Sequence, residues 1–259
     1  MQQRRPGFPA RISLPTPGQR PVSGTTTRSG NLPGVPVPAG LGLDSAAVRT
    51  RMVQRLSAMG VTAPQVLQAM GAVERHRFVD TGLVNQAYED TSLPIGLGQT
   101  ISKPSIVARM AELLLGAEIA CATGGLGRVL EIGTGCGYQA AVLSKLAREV
   151  YSMERLRGLH DKARDNLRPL RLANVHLLFG DGMAGFPKGA PYAAIVSAAG
   201  GSTLPAAWCE QLAVGGRLVA PYARADGQQV LLVVDKTAHG LKQTVLEAVH
   251  FVPLKSGVA

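Results

Sequence analysis

Val129-Leu130-Glu131-Ile132-Gly133-Thr134-Gly135-Cys136-Gly137-Tyr138 is the stretch on which the fold turns. An unbroken apolar run flanking one acid reads as a buried strand, the spaced glycines as a tight turn, and the residues after Gly137 as the start of a helix. Glycines in such a turn let backbone N–H groups approach a ligand closely, and the helix start adds a positive dipole end. The arrangement therefore predicts a nucleotide-type site. Its spacing is G-x-G-x-G rather than the G-x-G-x-x-G of a pyrophosphate cradle, and Glu131 stands two residues before the first glycine. A carboxylate there repels a diphosphate and attracts the sulfonium and ammonium groups of S-adenosylmethionine, so the sign of the charge favours a methyl donor over a dinucleotide.

Outward from this turn the chain alternates. Strand-like runs at 128–132, 149–153, 175–179, 193–197 and 217–221 are separated by helical patterns such as 139–147 and 156–172. That spacing predicts βαβ units: an α/β, doubly wound, mostly parallel sheet with helices on both faces, a Rossmann-like arrangement. Runs at 229–235 and 245–251, around Gly240, predict an antiparallel hairpin closing one edge. Upstream, Asp44 or Ser45 caps a helix through Val48, Met52, Val53 and Leu56 that stops at Gly60, and a second helix runs from Pro64 toward 75–78, giving a helical preface. Between Asp90 and Pro104 the pattern is neither helical nor alternating and reads as a structured loop, with Pro104 opening the helix that follows. A loop this specific inside a compact domain points to function.

Successive strand ends carry acids. Glu154 follows Gly133 by 21 positions and can accept both ribose hydroxyls, which suits either cofactor class. Asp181, before Gly182, can accept from an adenine amino group. Each acid alone is equally readable as a helix cap or surface charge; together at neighbouring strand tips they outline the crevice where open α/β sheets bind ligands.

Of the 259 residues, 46% are hydrophobic and only 4% aromatic, which suits this class better than a β-sandwich. No run approaches the ~18 apolar residues of a membrane span, and no apolar segment marks a secretory signal. Cys121, Cys136 and Cys209 are unpaired in spacing and lack a histidine cluster, so a reduced, cytoplasmic protein without a structural metal is expected. Half of the +10 formal charge lies in residues 1–43, which hold eight of the 17 prolines, five arginines and no acid. That composition predicts a disordered basic Pro/Gly-rich tail, with one folded domain occupying 44–259. An RNA methyltransferase guided by this arm, or a donor-binding protein without activity that uses it as an interaction arm, remain open from the residues alone.

Longer motifs narrow the field. Leu93-Pro94-Ile95-Gly96 followed by Gly98-Gln99-Thr100-Ile101-Ser102-Lys103-Pro104, Leu130-Glu131-Ile132-Gly133-Thr134-Gly135, Gly180-Asp181-Gly182, Gly215-Gly216-Arg217-Leu218 and Phe251-Val252-Pro253-Leu254 together resemble the protein-L-isoaspartate O-methyltransferases, continuously from about Arg49 to the C-terminus. The resemblance implies a class I S-adenosylmethionine-dependent fold and a repair reaction: methyl transfer to the α-carboxylate of L-isoaspartyl residues in damaged proteins, giving an ester that collapses through a succinimide toward normal aspartate, with S-adenosylhomocysteine as product. It implies Ser102 as the active-site residue and Thr100, Ser102 and Val252 as substrate contacts. The donor falls on Thr100, Ile101, Ser102, Glu131, Gly133, Thr134, Gly135, Glu154, Asp181 and Gly182, with no metal. Isoaspartyl peptides and proteins are the implied partners, and neither a membrane, a nucleic acid nor a second subunit is expected. Two departures stand out: Ala193 follows Tyr192 where the family has an acid, so that the strand through Ser197 reads one residue short, and Gly200-Gly201 replaces Ala and Pro, which predicts a looser rim.

A carboxylate is already ionised at neutral pH and attacks a sulfonium methyl without a general base, in keeping with five scattered histidines. Ser102 also fits a second role, as a cap for the helix opened by Pro104.

Overall fold

The computed structural model describes residues 46–259; the tail expected at 1–43 and the cap expected at Asp44 or Ser45 lie outside the described residues. The preface consists of α1 (Ala46–Ala58) and α2 (Pro64–Ala72), followed by short 3-10 turns at Arg75–Phe78 and Thr81–Gln86. The second helix ends before the expected 75–78 because Val73 is extended, which turns Arg75 inward. There its guanidinium is fully buried, donates from Nε to the Ala87 carbonyl at 2.7 Å and lies 4.8 Å from the Tyr138 ring centre.

The segment expected to be a loop is instead a small hairpin, β1 (Leu93–Gly96) and β2 (Gln99–Ile101), pairing Leu93 with Ile101 and Pro94 with Thr100. Its turn places Gly96, Leu97 and Gly98 all at positive φ. Too few residues alternate for a strand signal to register. From it leads α3 (Pro104–Leu115), then α4 (Glu118–Thr123), a turn of helix hidden in an Ala-rich connection.

The start of α3 is capped at a distance. Ser105 donates its backbone N–H to Asp90 Oδ1 at 2.8 Å and its hydroxyl to Oδ2 at 2.7 Å. Replacing Asp90 by alanine is expected to cost about 1 kcal/mol, as for other helix-cap losses, read as a shifted urea midpoint at unchanged slope.

The main sheet then builds in order: β3 (Leu126–Ile132), α5 (Tyr138–Leu143), β4 (Ala147–Glu154), α6 (Arg157–Leu167), β5 (Val175–Phe179), β6 (Tyr192–Ser197), α7 (Ala206–Gln211), β7 (Leu212–Ala223), β8 (Gln229–Thr237) and β9 (Gly240–Ala248). Their spatial order is β5-β4-β3-β6-β7-β8-β9, parallel from β5 to β7 and antiparallel for the last two strands. The doubly wound parallel sheet with an antiparallel edge hairpin is thus borne out. After β3 the chain goes outward to β4 and β5, then returns to the other side of β3 with β6. That reversal opens a crevice at the strand C-termini.

Several boundaries moved. Helix α5 ends at Leu143 rather than 147, where Asn174 Nδ2 takes the carbonyls of Ser144 and Ala147 and turns the chain into β4. Strand β9 begins at Gly240, not 245, because Thr237 and Gly240 form a tight paired turn; its nearly uniform exposure erases the alternation that marks a strand. The strand expected to be short, β6, runs for six residues, all buried.

The two faces of the sheet are covered unequally. Val129, Val150, Val196 and Val219 face a large cluster with α1, α2, α3 and α5, whereas Leu130, Ile132, Ile195 and Leu218 face a smaller one around Trp208 of α7. On the smaller face Tyr151 lies 5.7 Å from Phe186 and 5.8 Å from Tyr192, ring centre to centre, so aromatic side chains pack there against one another.

Candidate active site

Two hollows lie at the C-terminal ends of β3, β4, β5 and β6, and a third adjoins them between the start of α3 and the segment after β9. The first is a cleft of about 190 Å³ between the β1–β2 turn (Ile95, Leu97), the tips of β3 and β4 (Gly133, Glu154) and the C-terminal segment (Val252, Leu254). A recess of about 30 Å³ continues inward past Thr100, Ser102, Gly133, Thr134 and Gln139. Ser102 borders this recess and also an open groove of about 250 Å³ formed with Lys103, Ile106, Val249 and His250.

The glycine turn makes the first wall. Gly135 has φ +57, and a Cβ there would lie 3.2 Å from Ile95 Cδ1, so any side chain would fill the narrow gap between turn and hairpin. Gly182 forms the opposite wall. A Cβ on it would sit 2.5 Å from Ile132 Cγ2, and its carbonyl is held from behind by Trp208 Nε1 at 2.8 Å.

Glu154, 5% exposed, closes β4 with three backbone N–H bonds to its carboxylate. Oε2 accepts from Gly135 N–H at 2.8 Å, and Oε1 accepts from the N–H groups of Arg155 and Leu156, both at 2.9 Å. One side chain therefore ties the glycine turn to the entry of α6. Glu131 is wholly buried behind the recess wall rather than in it: Ser152 Oγ donates to its Oε2, Thr134 Oγ1 lies 2.7 Å from Ser152, and Glu131 Oε1 has no close hydrogen-bond partner. Burial, opposed by the Ser152 and Gln139 side-chain bonds and assisted by the neighbouring charge of Glu154, pushes its carboxyl up to about 8.

The structure brings together Thr100, Ser102, Gly133, Gly135, Glu154, Gly182 and Val252 around these hollows. Ile101 and Thr134 join them in the inner recess. Asp181 is placed differently. Its Oδ1 accepts from Met183 N–H at 2.9 Å and its Oδ2 from Gly257 N–H at 2.7 Å, so it fixes the turn before Gly182 and anchors the C-terminal end. Ser102 does not cap α3, whose first turn Asp90 serves, and its hydroxyl has no partner among the described residues. The rim at Gly200 is pinned rather than loose: Gly200 N–H donates to Val252 O at 2.9 Å and Leu254 N–H to Gly200 O at 2.7 Å. Burial pushes the Cys136 thiol up to about 11, which leaves it a packing group.

Motif reading missed the apolar lining. Ile95, Leu97, Met153, Leu156, Leu159 and Leu254 line the outer cleft, and Leu97 does so while 62% exposed and at φ +51. A non-glycine residue held at positive φ costs about 1–2 kcal/mol. In sequence only its place between two glycines could have marked it.

This site can hold a nucleoside-type donor. Acceptors sit at the β4 tip, the turn would be obstructed by a Cβ at Gly135, and a buried carboxyl group that a cation could ionise lies behind the recess.

Comparison with known proteins agrees. The sequence model of protein-L-isoaspartate(D-aspartate) O-methyltransferase matches residues 47–259. A protein-L-isoaspartate O-methyltransferase of Methylibium petroleiphilum is 55% identical over 99% of this chain and 98% of its own. Its namesake in Burkholderia vietnamiensis is 59% identical over 85% of this chain and 71% of its own. Among solved structures, a protein-L-isoaspartate O-methyltransferase superposes with a TM-score of 0.72 at 28% identity, over 81% of this chain and 67% of that one. One from Plasmodium falciparum, described as putative and in complex with S-adenosyl-L-homocysteine, gives 0.68 at 24% identity, over 80% and 98%, and speaks for the fold. Fold, strand-tip acids and full-length similarity converge, and the chain belongs to the protein-L-isoaspartate(D-aspartate) O-methyltransferase family.

Proposed function

We propose that the protein transfers a methyl group from S-adenosylmethionine to the α-carboxylate of L-isoaspartyl residues in damaged proteins. The observation that carries this reading is the position of Ser102. Its unpartnered hydroxyl stands where the donor recess meets a groove open enough for a peptide.

When bound, the donor supplies an electrophilic methyl on a sulfonium. The rest falls to the chain. Glu154 offers acceptors for ribose hydroxyls, the apolar walls at Ile95, Met153 and Leu159 exclude water from the cleft, and the Thr100 and Ser102 hydroxyls orient the acceptor carboxylate. No base is required, because the acceptor is ionised at neutral pH. Alignment of opposite charges in a dry site provides the acceleration. The ester then closes to a succinimide off the enzyme, returning part of the material as aspartate.

The decisive experiment supplies radiolabelled S-adenosylmethionine with an isoaspartyl peptide and, in parallel, its normal aspartyl twin. Label should enter the first alone. Equal labelling of both, or of neither, overturns the reading.

Ser102→Ala should lower kcat about tenfold, the worth of one hydrogen bond to a charged group, with donor Kd changed less than about twofold. Loss of donor binding with unchanged turnover at saturation would contradict its role as a substrate contact.

We further propose a monomer acting in the cytoplasm. Its three cysteines are free thiols, and no helix among the described residues is long and apolar enough to cross a membrane. The active domain is taken as 44–259, with the basic segment 1–43 an appendage to it.

A further inference from the structure

The sheet tips hold two carboxylates in opposite circumstances. Glu154 borders the cleft and accepts three backbone N–H bonds. Glu131 is 0% exposed and takes one close bond, from Ser152. Its Oε1 has no close partner, and the buried Gln139 side chain on α5 acts on it as a weak second donor. Around it stand Ser152 on β4, Thr134 on the glycine turn and Gln139 on α5; the charged side chain that acts on it is Glu154, of the same sign. Among the groups acting on it there is no cation.

A buried carboxyl group held by two neutral donors, with a like charge nearby and no cation acting on it, keeps its proton near neutrality. Thr134, bonded to Ser152, and Gln139, which acts on Glu131, are both walls of the recess. A positive charge arriving in that recess meets Glu131 across one layer of side chains and would reverse the balance.

We propose that Glu131 distinguishes methyl donor from demethylated product through its own proton. It carries the proton in the ligand-free protein, releases it to solvent when a sulfonium occupies the recess, and recovers one once that sulfonium has become a neutral thioether. This rests on the reading that the cleft binds S-adenosylmethionine. The two ligands share nucleoside, ammonium and carboxylate and differ in the sulfur charge, so the discrimination falls on the one group that can change charge beneath it. The product then leaves a site that no longer attracts it electrostatically.

Calorimetry tests this directly. S-adenosylmethionine and S-adenosylhomocysteine are each titrated into the full chain at about pH 7, in phosphate and in imidazole buffer, whose different ionisation enthalpies reveal protons exchanged on binding. Close to one proton should be released with the donor and close to none with the product. Between about pH 6 and pH 7 donor affinity should rise by up to tenfold while product affinity stays level. In Glu131→Gln, whose amide mimics the protonated acid, both ligands should bind without proton release and the preference for donor over product should fall. Equal proton counts for the two ligands in the wild-type protein overturn the proposal even where both bind well. Failure of both ligands to bind would instead overturn the methyl-donor reading on which it stands. The wild-type comparison decides the matter even where the variant folds poorly.

Discussion

Glu154→Ala should lose donor affinity by at least about tenfold, because the ribose forfeits a hydrogen bond to a charged acceptor worth about 1.5–3 kcal/mol. The same substitution frees three backbone N–H groups, at Gly135, Arg155 and Leu156. The last two lie at the entry of α6 and can turn to water, but Gly135 belongs to the turn that must hold its shape against the hairpin. Affinity therefore suffers twice, through lost ligand contacts and through a turn no longer tied to β4. Glu154→Gln separates the two effects. Its amide oxygen can serve one side of the original set, while the amino group has nothing to offer the N–H groups it would face, so it should bind more tightly than the alanine variant and more weakly than the native protein. Equilibrium titration with S-adenosylmethionine, supported by thermal shift with and without it, reads both. A Glu154→Ala protein that binds donor within about threefold of wild type would remove this residue from the donor site.

The fate of the strand-tip acids shows how far the sequence could be read. Glu131, Glu154 and Asp181 are legible by position, each within two residues of the end of an apolar strand run, and those strand ends border the crevice where the topology reverses. Their partners were not visible. That Asp181 would spend its carboxylate on Met183 and Gly257, 76 positions away in the second case, depends on where the C-terminal segment lands. The same holds for Asp90, whose cap on Ser105 spans 15 positions and freed Ser102 from a role it could have filled locally. Buried parallel strands announced themselves through continuous apolar runs. The β1–β2 hairpin and β9 did not, the first because its four- and three-residue strands are too short for a period, the second because an edge exposed along nearly its whole length has no apolar face to repeat. Local chemistry was legible where residues act near their own position, and illegible where long-range packing assigns the partner.

Glu131 should also make the ligand-free protein less stable as pH rises from mildly acidic to mildly basic. Its carboxyl titrates at about 8 in the folded chain, against 4.5 for the unperturbed group. Between those values the folded protein holds a proton that the unfolded chain has released, so raising the pH pulls the equilibrium toward unfolding. Below the lower value both states are protonated and the contribution is fully present; above the higher one both are ionised and it has been lost. For a single proton the slope is at most about 1.4 kcal/mol per pH unit, enough over the whole window to consume a sizeable part of a domain's stability. Other groups titrate in the same range, so the difference between wild type and Glu131→Gln is the informative quantity. The glutamine stays neutral, accepts from Ser152 through its oxygen and brings no charge into the core. Its stability relative to wild type, from urea melts at steps between about pH 5 and pH 9, should therefore climb steadily to near pH 8 and then level off. A variant that runs parallel to wild type across that range would mean that Glu131 is ionised in the free protein, its desolvation compensated by something other than a proton. The same substitution that stabilises the empty fold above neutrality should weaken donor binding there, which marks the carboxylate as a group kept for the ligand at the expense of the scaffold.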